Sequence, residues 1–393
     1  MSHAAVYRSN RPHDEQTFDA VLAGATVAIV LLGLVMVFST GVSGSIGQFE
    51  LRFTHLFKHA LHIVTGLIFM LFAMHVNLVK LQAKSKILLL LGMMTLAALM
   101  LPGVGLDING STRWFSIGGV RVQPAEMMKL ICLIYVADYY ARKQNSVHLF
   151  KVGVLHLGLP VLLVGMLLLM QPDFGTLVVI IATTAGLMFL AGVPFGYFVG
   201  VIVLTLMALS VIALLEPYRV ERLLTYQNPW ADPFDSGFQL TQALMAVGRG
   251  GWLGVGLGNS LQKLSYLPHA DNDFLIAIIA EELGAAGVMA VLVLFTLLMW
   301  RAFRIGSRAL EKGFRFEAYL AYGIGLLIVF NAGIHVGVNT GILPTKGLTL
   351  PLMSAGGSSM VTTFIAIGLL FAVDRKTRSR PRLRSRSAQE KRS

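Results

Sequence analysis

The apolar positions of this chain form long unbroken runs, separated by short polar segments. Ten runs approach the ~20 apolar residues that cross a bilayer as a helix rising about 1.5 Å per residue. They lie near Phe18–Thr40, Thr54–Val76, Lys86–Leu101, Pro124–Tyr140, Val152–Met170, Gly175–Val193, Phe195–Leu215, Asp273–Trp300, Glu317–Asn339 and Pro351–Val373. Lipid-facing barrel strands alternate apolar and polar residues, and these runs do not. The pattern therefore predicts an all-α polytopic membrane protein of about ten transmembrane helices. A polar leader over 1–17, a membrane domain over 18–373 and a basic tail over 374–393 complete the division. The first run follows Arg8, Arg11, Asp14 and Glu15 and is long enough to span, so it reads as a retained helix, not a cleaved signal.

Composition supports the same class. Of 393 residues, 55% are hydrophobic and 13% charged, whereas a soluble domain carries about 25% charged residues. The net charge of +12 does not indicate nucleic acid, because the bases sit in short loops and in the tail from Arg375 to Arg386, without interleaved aromatics. Sorted by side, the bases divide 22 against 9, with Lys129 left inside a span. That bias places both termini in the cytoplasm, with the tail beside anionic lipid. Cys132 is the single cysteine, so an intramolecular disulfide is ruled out and a packing role is expected.

The segment 216–272 then falls outside the cytoplasm, and a loop of that length is usually functional. It contains Pro217, Pro229 and Pro233, an expected interfacial helix over Phe238–Val247, and a glycine run from Gly248 to Gly258. The run resembles a dinucleotide fingerprint only superficially, since no strand precedes it. Asn109-Gly110 and Gly118-Gly119 mark turns of a small hairpin carrying Arg113 and Trp114.

The chemistry concentrates where this long segment meets the eighth run, at Leu267-Pro268-His269-Ala270-Asp271-Asn272-Asp273-Phe274. Charge at a membrane boundary is costly and usually faces a cavity or substrate path. By position alone Asp273 reads equally as a helix N-cap or as a working carboxylate. Glu126 and Lys129 share a helical face, as an ion pair or as cavity lining. Asp173 reads chiefly as a cap, and Glu281 and Glu282 as structural or cavity-lining. In the ninth run Gly333, Gly337 and Gly341 are expected to pack on a neighbouring helix. The polar stripe Asn331, His335 and Asn339 should then face the interior.

Several motifs carry a resemblance to a known family. Pro344-Thr345-Lys346-Gly347-Leu348-Thr349-Leu350-Pro351-Leu352-Met353-Ser354-Ala355-Gly356-Gly357-Ser358-Ser359 is similar to the signature of the SEDS cell-wall polymerases. So are Gln123-Pro124-Ala125-Glu126, Gln171-Pro172-Asp173-Phe174-Gly175, and Asp273-Phe274 with Ala280-Glu281-Glu282-Leu283-Gly284. The match covers most of the chain and is nearer the division branch than the elongation branch. His269, Asp271 and Asn272 stand where the family has Glu, His and Thr. Ala355 replaces a frequent Tyr, and His335 stands where Asn is common.

The resemblance implies a peptidoglycan glycosyltransferase that polymerises lipid II at the septum of the bacterial inner membrane. Partners would be a class B penicillin-binding protein transpeptidase and other divisome proteins. Asp273 would be the catalytic base. Glu126, Lys129, Arg113, Arg249, Lys263, Ser358 and Ser359 would bind substrate, with at least one of Lys129, Arg249 and Lys263 on the donor pyrophosphate. A divalent cation such as Mg²⁺ could screen the pyrophosphate, although the sequence offers no dedicated metal cage. Two alternatives are a lipid-precursor flippase, which needs coupling groups near the midplane, and a scaffold without chemistry, which would tolerate loss of Asp273.

Overall fold

The computed structural model describes residues 19–41, 49–108, 111–117, 120–214, 225–235, 237–264, 267–268 and 270–378. The leader, His269, Arg219, Arg222 and the tail beyond Arg378 lie outside the described residues. All ten expected spans form helices: α1 (Ala20–Gly41), α2 (Phe49–Met74), α4 (Ser85–Ala98), α5 (Pro124–Lys143), α6 (His156–Met170), α7 (Phe174–Leu190), α8 (Phe195–Leu214), α10 (Leu275–Glu311), α11 (Arg315–Asn339) and α12 (Gly357–Arg378). A short α3 (Leu78–Ala83) and α9 (Phe238–Gly250) lie between them. Among the described residues, six helices are long and apolar enough to cross a membrane, and three shorter apolar ones accompany them. Helix α5 carries Glu126, Lys129 and Asp138 but is buried among the others. The protein is a multi-pass membrane protein.

Burial separates centre from periphery. In α11 and α12, 67% and 72% of the apolar stretch is buried, against 28% for Lys151–Met170. Helices α2 and α12 pack side by side through small residues. A Cβ on Gly66 would meet Phe364, and one on Gly368 would meet the backbone of Met70, the close approach that small residues allow in membranes. Exposed Phe57, Phe72, Leu204 and Val293 form the outer, lipid-compatible surface.

One end of the bundle carries an antiparallel sheet of β1 (Leu106–Ile108), β2 (Ser111–Ile117) and β3 (Val120–Val122), in that order. Leu106 pairs with Trp114 and Phe115 with Val122. The two turns, 109–110 and 118–119, lie outside the described residues. The expected hairpin is thus a three-stranded meander. The opposite end holds Asp19 and Arg378, the described residues nearest the termini.

Helix α10 is interrupted at Gly284, which has φ 70° and ψ −170°. A break exposes backbone groups that lipid cannot satisfy, so protein must supply their partners. Here the glycine run does so. Val255 and Gly256 N–H groups donate to the carbonyls of Glu281 and Glu282 at 2.9 and 3.0 Å, and Ala285 and Ala286 N–H groups donate to the carbonyls of Gly251 and Trp252 at 2.9 and 3.1 Å. A Cβ on Gly250 would stand 1.8 Å from the Ala280 carbonyl oxygen, so only glycine permits this approach. Helix α9 forms as expected, and its buried face (Leu240, Ala243, Ala246) lies toward α10 and the end of α11.

Two expectations change. Of the three spaced glycines, only Gly341 meets a neighbouring helix, through Leu244 and Leu240 of α9. Gly333 has open space, Gly337 faces Leu343 from the following turn, and Gly341 lies beyond the helix with φ 72°. Helix α12 begins at Gly357, not near Pro351, because Pro351–Ser354 form a turn with Leu352 at φ 62°.

Candidate active site

Asp273 lies in the turn entering α10 and is partly exposed. Three consecutive carbonyls around it are held from elsewhere. The Asp271 carbonyl accepts the Ala355 N–H at 3.2 Å. The Asn272 carbonyl accepts Ser354 Oγ at 2.7 Å and His335 Nε2 at 3.2 Å. The Asp273 carbonyl accepts Asn339 Nδ2 at 3.0 Å. Phe274 occupies the cap position, and the Ala277 N–H donates to Asn339 Oδ1 at 3.0 Å.

The Asp273 carboxylate lies against Gly347, where an added Cβ would stand 3.0 Å from Oδ2. Next to that glycine, Lys346 Nζ sits 4.6 Å from the centre of the Phe174 ring, a cation–π seat. Leu348 closes against Gly175. The signature segment thus brings a cation, a glycine and an apolar plug to the mouth of α7. Phe174 also heads a stripe of α7, continued by Leu177, Ile181, Thr184 and Met188. These residues, from Leu177 on, line an apolar cavity of about 290 Å³ between α6, α7 and α8.

The other expected residues fall into three groups. Ser358 and Ser359 fix the first turn of α12: Ser358 Oγ accepts the Gln123 N–H at 2.9 Å, and Thr349 Oγ1 donates to Ser359 Oγ at 2.6 Å. Arg113 spans from β2 to the loop before α7, donating to the carbonyls of Gln171 and Pro172 at 2.8 and 2.6 Å. There Asp173 caps α7, accepting the Thr176 N–H at 3.1 Å. The third group is ionic. Lys129 Nζ lies 2.8 Å from Glu126 Oε2 and 3.2 Å from Asn331 Oδ1. Asn331 is two turns along α11 from Asn339, or about 12 Å.

Arg249 and Lys263 are committed to the two glutamates beside the α10 break. Arg249 pairs with Glu281 at 2.6 Å, and Lys263 with Glu282 at 2.8 Å, while Ser39 of α1 also donates to Glu282. Both glutamate side chains are fully buried, Lys263 is 2% exposed, and Arg249 keeps 39% exposure. Unpaired buried charge would be costly, so these pairs anchor the long segment to α10. Among the described residues, no three His, Cys, Asp or Glu side chains are grouped to hold a metal ion.

Sequence reasoning missed the seat of Lys346 over Phe174, next to Gly347, and the holding role of His335, Asn339 and Ser354. The four-residue polar spacing of α11 was a visible signal for two of them, but not for which backbone they hold.

With this geometry in place, comparison with known proteins is informative. Residues 20–379 match the FtsW/RodA/SpoVE family of cell cycle proteins. The chain is 45% identical over 365 residues to a probable peptidoglycan glycosyltransferase FtsW of Nitrosococcus halophilus, covering 92% of this chain and 93% of that one. It is 46% identical over 358 residues to the protein of the same description from Methylococcus capsulatus, covering 90% and 89%. A chain from a structure of a peptidoglycan synthase complex that coordinates polymerization and crosslinking superposes with a TM-score of 0.75 at 27% identity, covering 92% of this chain and 99% of that one. The rod shape determining protein RodA of Thermus thermophilus superposes with a TM-score of 0.67 at 25% identity, covering 93% and 99%. The chain belongs to the FtsW/RodA/SpoVE family of cell cycle proteins.

Proposed function

We propose that this protein is the peptidoglycan glycosyltransferase of septal wall synthesis, polymerising lipid II with Asp273 as general base. An acceptor sugar hydroxyl attacks the anomeric carbon of the donor, and its proton passes to Asp273. The bond from that carbon to the pyrophosphate breaks, and the polyprenyl pyrophosphate leaves. Such a step needs a base for the hydroxyl and cations for the departing charge. The observation that carries the reading is Asp273 itself. Its carboxylate is partly exposed, its backbone is pinned, and Lys346 stands one residue from the glycine it touches. The apolar cavity along α7 suits a substrate with a hydrocarbon tail.

Lys346 and Arg113 are the cations at the mouth of α7. Lys129, Arg249 and Lys263 reach pyrophosphate only by leaving Glu126, Glu281 and Glu282, and Arg249 is the most solvent-accessible of the three. A divalent cation such as Mg²⁺ would arrive on the phosphate oxygens. In this reading both termini are cytoplasmic and the Asp273 end faces outward. A class B penicillin-binding protein crosslinks the product within the divisome.

The test is purified full-length protein, alone and with a class B transpeptidase, incubated with labelled lipid II. Glycan chains from the parent and none from Asp273→Asn are expected. Polymer at parental rates from Asp273→Asn overturns the reading, and transbilayer movement of lipid II without polymer replaces it with the flippase.

A further inference from the structure

The stripe on α11 does more than fill the bundle interior. Asn339 is fully buried, and both ends of its amide are engaged. Oδ1 accepts the Ala277 N–H at 3.0 Å, while Nδ2 donates to the Asp273 carbonyl at 3.0 Å and to the His335 carbonyl at 2.8 Å. One turn earlier, His335 is 1% exposed and its Nε2 faces the Asn272 carbonyl at 3.2 Å. A carbonyl only accepts, so Nε2 carries the proton, and Nδ1 is left as the acceptor facing Asn339 Nδ2 at 3.5 Å. The second lone pair of the Asn272 carbonyl takes the Ser354 hydroxyl, which in turn accepts the Leu350 N–H at 2.9 Å.

The carbonyls on either side of Asp273 are thus each tied to a side chain of one helix. Fixing two successive peptide planes fixes the φ and ψ of the residue between them, and with them the direction of its Cα–Cβ bond. We infer that His335 and Asn339 are positioning residues that aim the Asp273 carboxylate at its reacting position beside Gly347. This rests on the reading of Asp273 as the base. A misplacement near 1 Å costs about a hundredfold in rate, a penalty larger than the loss of one ordinary hydrogen bond would suggest.

The chosen variants separate aim from folding. Asn339→Asp keeps the acceptor for Ala277 but sets an oxygen against the Asp273 carbonyl. His335→Ala removes the donor, and His335→Asn restores one on a shorter side chain. Each full-length variant is purified and melted, its binding of labelled lipid II is measured, and its turnover and KM are determined. We expect Asn339→Asp to lose about 30- to 100-fold in turnover and His335→Ala about 10-fold. KM and lipid II binding should stay within about threefold and melting close to parent, with His335→Asn within about threefold of parent in turnover.

In the Asp273→Asn background neither substitution should cause further loss, since groups acting as a unit are not additive. Parental turnover in both Asn339→Asp and His335→Ala overturns the inference while leaving Asp273 as base. So does a loss that tracks melting alone, or failure of His335→Asn to recover. Parental turnover in Asp273→Asn removes the base itself, and the inference falls with it.

Discussion

The two ends of the bundle treat their aspartates differently. At the end near the termini, Asp19 and Asp374 are almost fully buried and answered by guanidinium groups from three places. Arg301 bonds Asp19, Arg308 lies 3.0 Å from Asp374, and Arg378 lies 3.3 Å from Asp19 and 2.7 Å from Asp374. These contacts tie the start of α1 to the ends of α10 and α12. At the other end, Asp273 is partly exposed. There the protein secures the backbone around the acid, whose carboxylate lies beside Gly347. A carboxylate buried among fixed cations is a fastener, whereas a partly exposed one on a pinned main chain sits where a ligand can reach it.

The sharpest separation comes from removing one charge at each end. Asp273→Asn should abolish lipid II polymerisation, by roughly 10³-fold or more if general-base catalysis and the local field are both lost. Its melting temperature should remain near parent. Asp19→Asn should do the reverse, leaving turnover per folded molecule unchanged. Its stability loss should reach at most the ~3 kcal/mol of a broken buried pair, because Arg308 and Arg378 are partly solvated. Polymerisation assays and melting curves on the same preparations check both. Equal loss of turnover at both sites would erase the contrast.

Acid should sharpen the same distinction. Burial alone would raise the Asp19 pKa, but the Arg301 bond, the Leu22 N–H and the charges of Arg301 and Arg378 outweigh it, holding the carboxyl below its ordinary 3.8. A depressed carboxylate stabilises the fold above its unfolded value, and that contribution fades as pH falls through the folded value. The gap in melting temperature between parent and Asp19→Asn should therefore be full at neutral pH and narrow as pH drops below about 3.8. A gap that widens in acid would contradict the pairing.

The glycine loop offers an intermediate effect. Gly284→Ala places a Cβ 2.4 Å from Gly254 N and forces alanine to φ 70°. The strained backbone costs about 1–3 kcal/mol, and the overlap about as much again. Loss of folded protein and lowered melting should follow, with a fall in turnover only as the segment 249–263 detaches from Glu281 and Glu282.

How much of this was readable in advance follows from the range of the forces. Continuous apolar runs announce helices because the bilayer demands length and internal hydrogen bonding, so every span of this chain was legible. The Asp273 motif was legible because an acid at a membrane edge is rare. The partners of Arg249 and Lys263 were not, because each pairs with a residue 19 to 32 positions away across a broken helix. Nothing in a local window reveals the break at Gly284 or that a distant glycine run fills it. Gly333 and Gly337 misled for a related reason: four-residue spacing permits close packing but does not require it. Lys346 was in plain view within its motif, yet its place over Phe174 depends on a contact 172 residues distant in the chain.

The smallest expected effect tests the seat of the Asp273 carboxylate most directly. Gly347→Ala would set a methyl group 3.0 Å from Asp273 Oδ2 and 3.6 Å from Cγ. The neighbouring atoms are the far end of a side chain, not backbone, so a shift of a few tenths of an ångström can relieve the contact without unfolding anything. With the backbone of Asp273 held by α11, that yielding must occur about the side-chain torsions, which turns the oxygens off their aim. Turnover should fall about 3- to 10-fold, less than the hundredfold typical of a 1 Å displacement, with KM and melting little changed. Steady-state polymerisation kinetics on purified Gly347→Ala measures it. Parental turnover would mean that the carboxylate has slack, and that the glycine serves the fold of the signature segment alone.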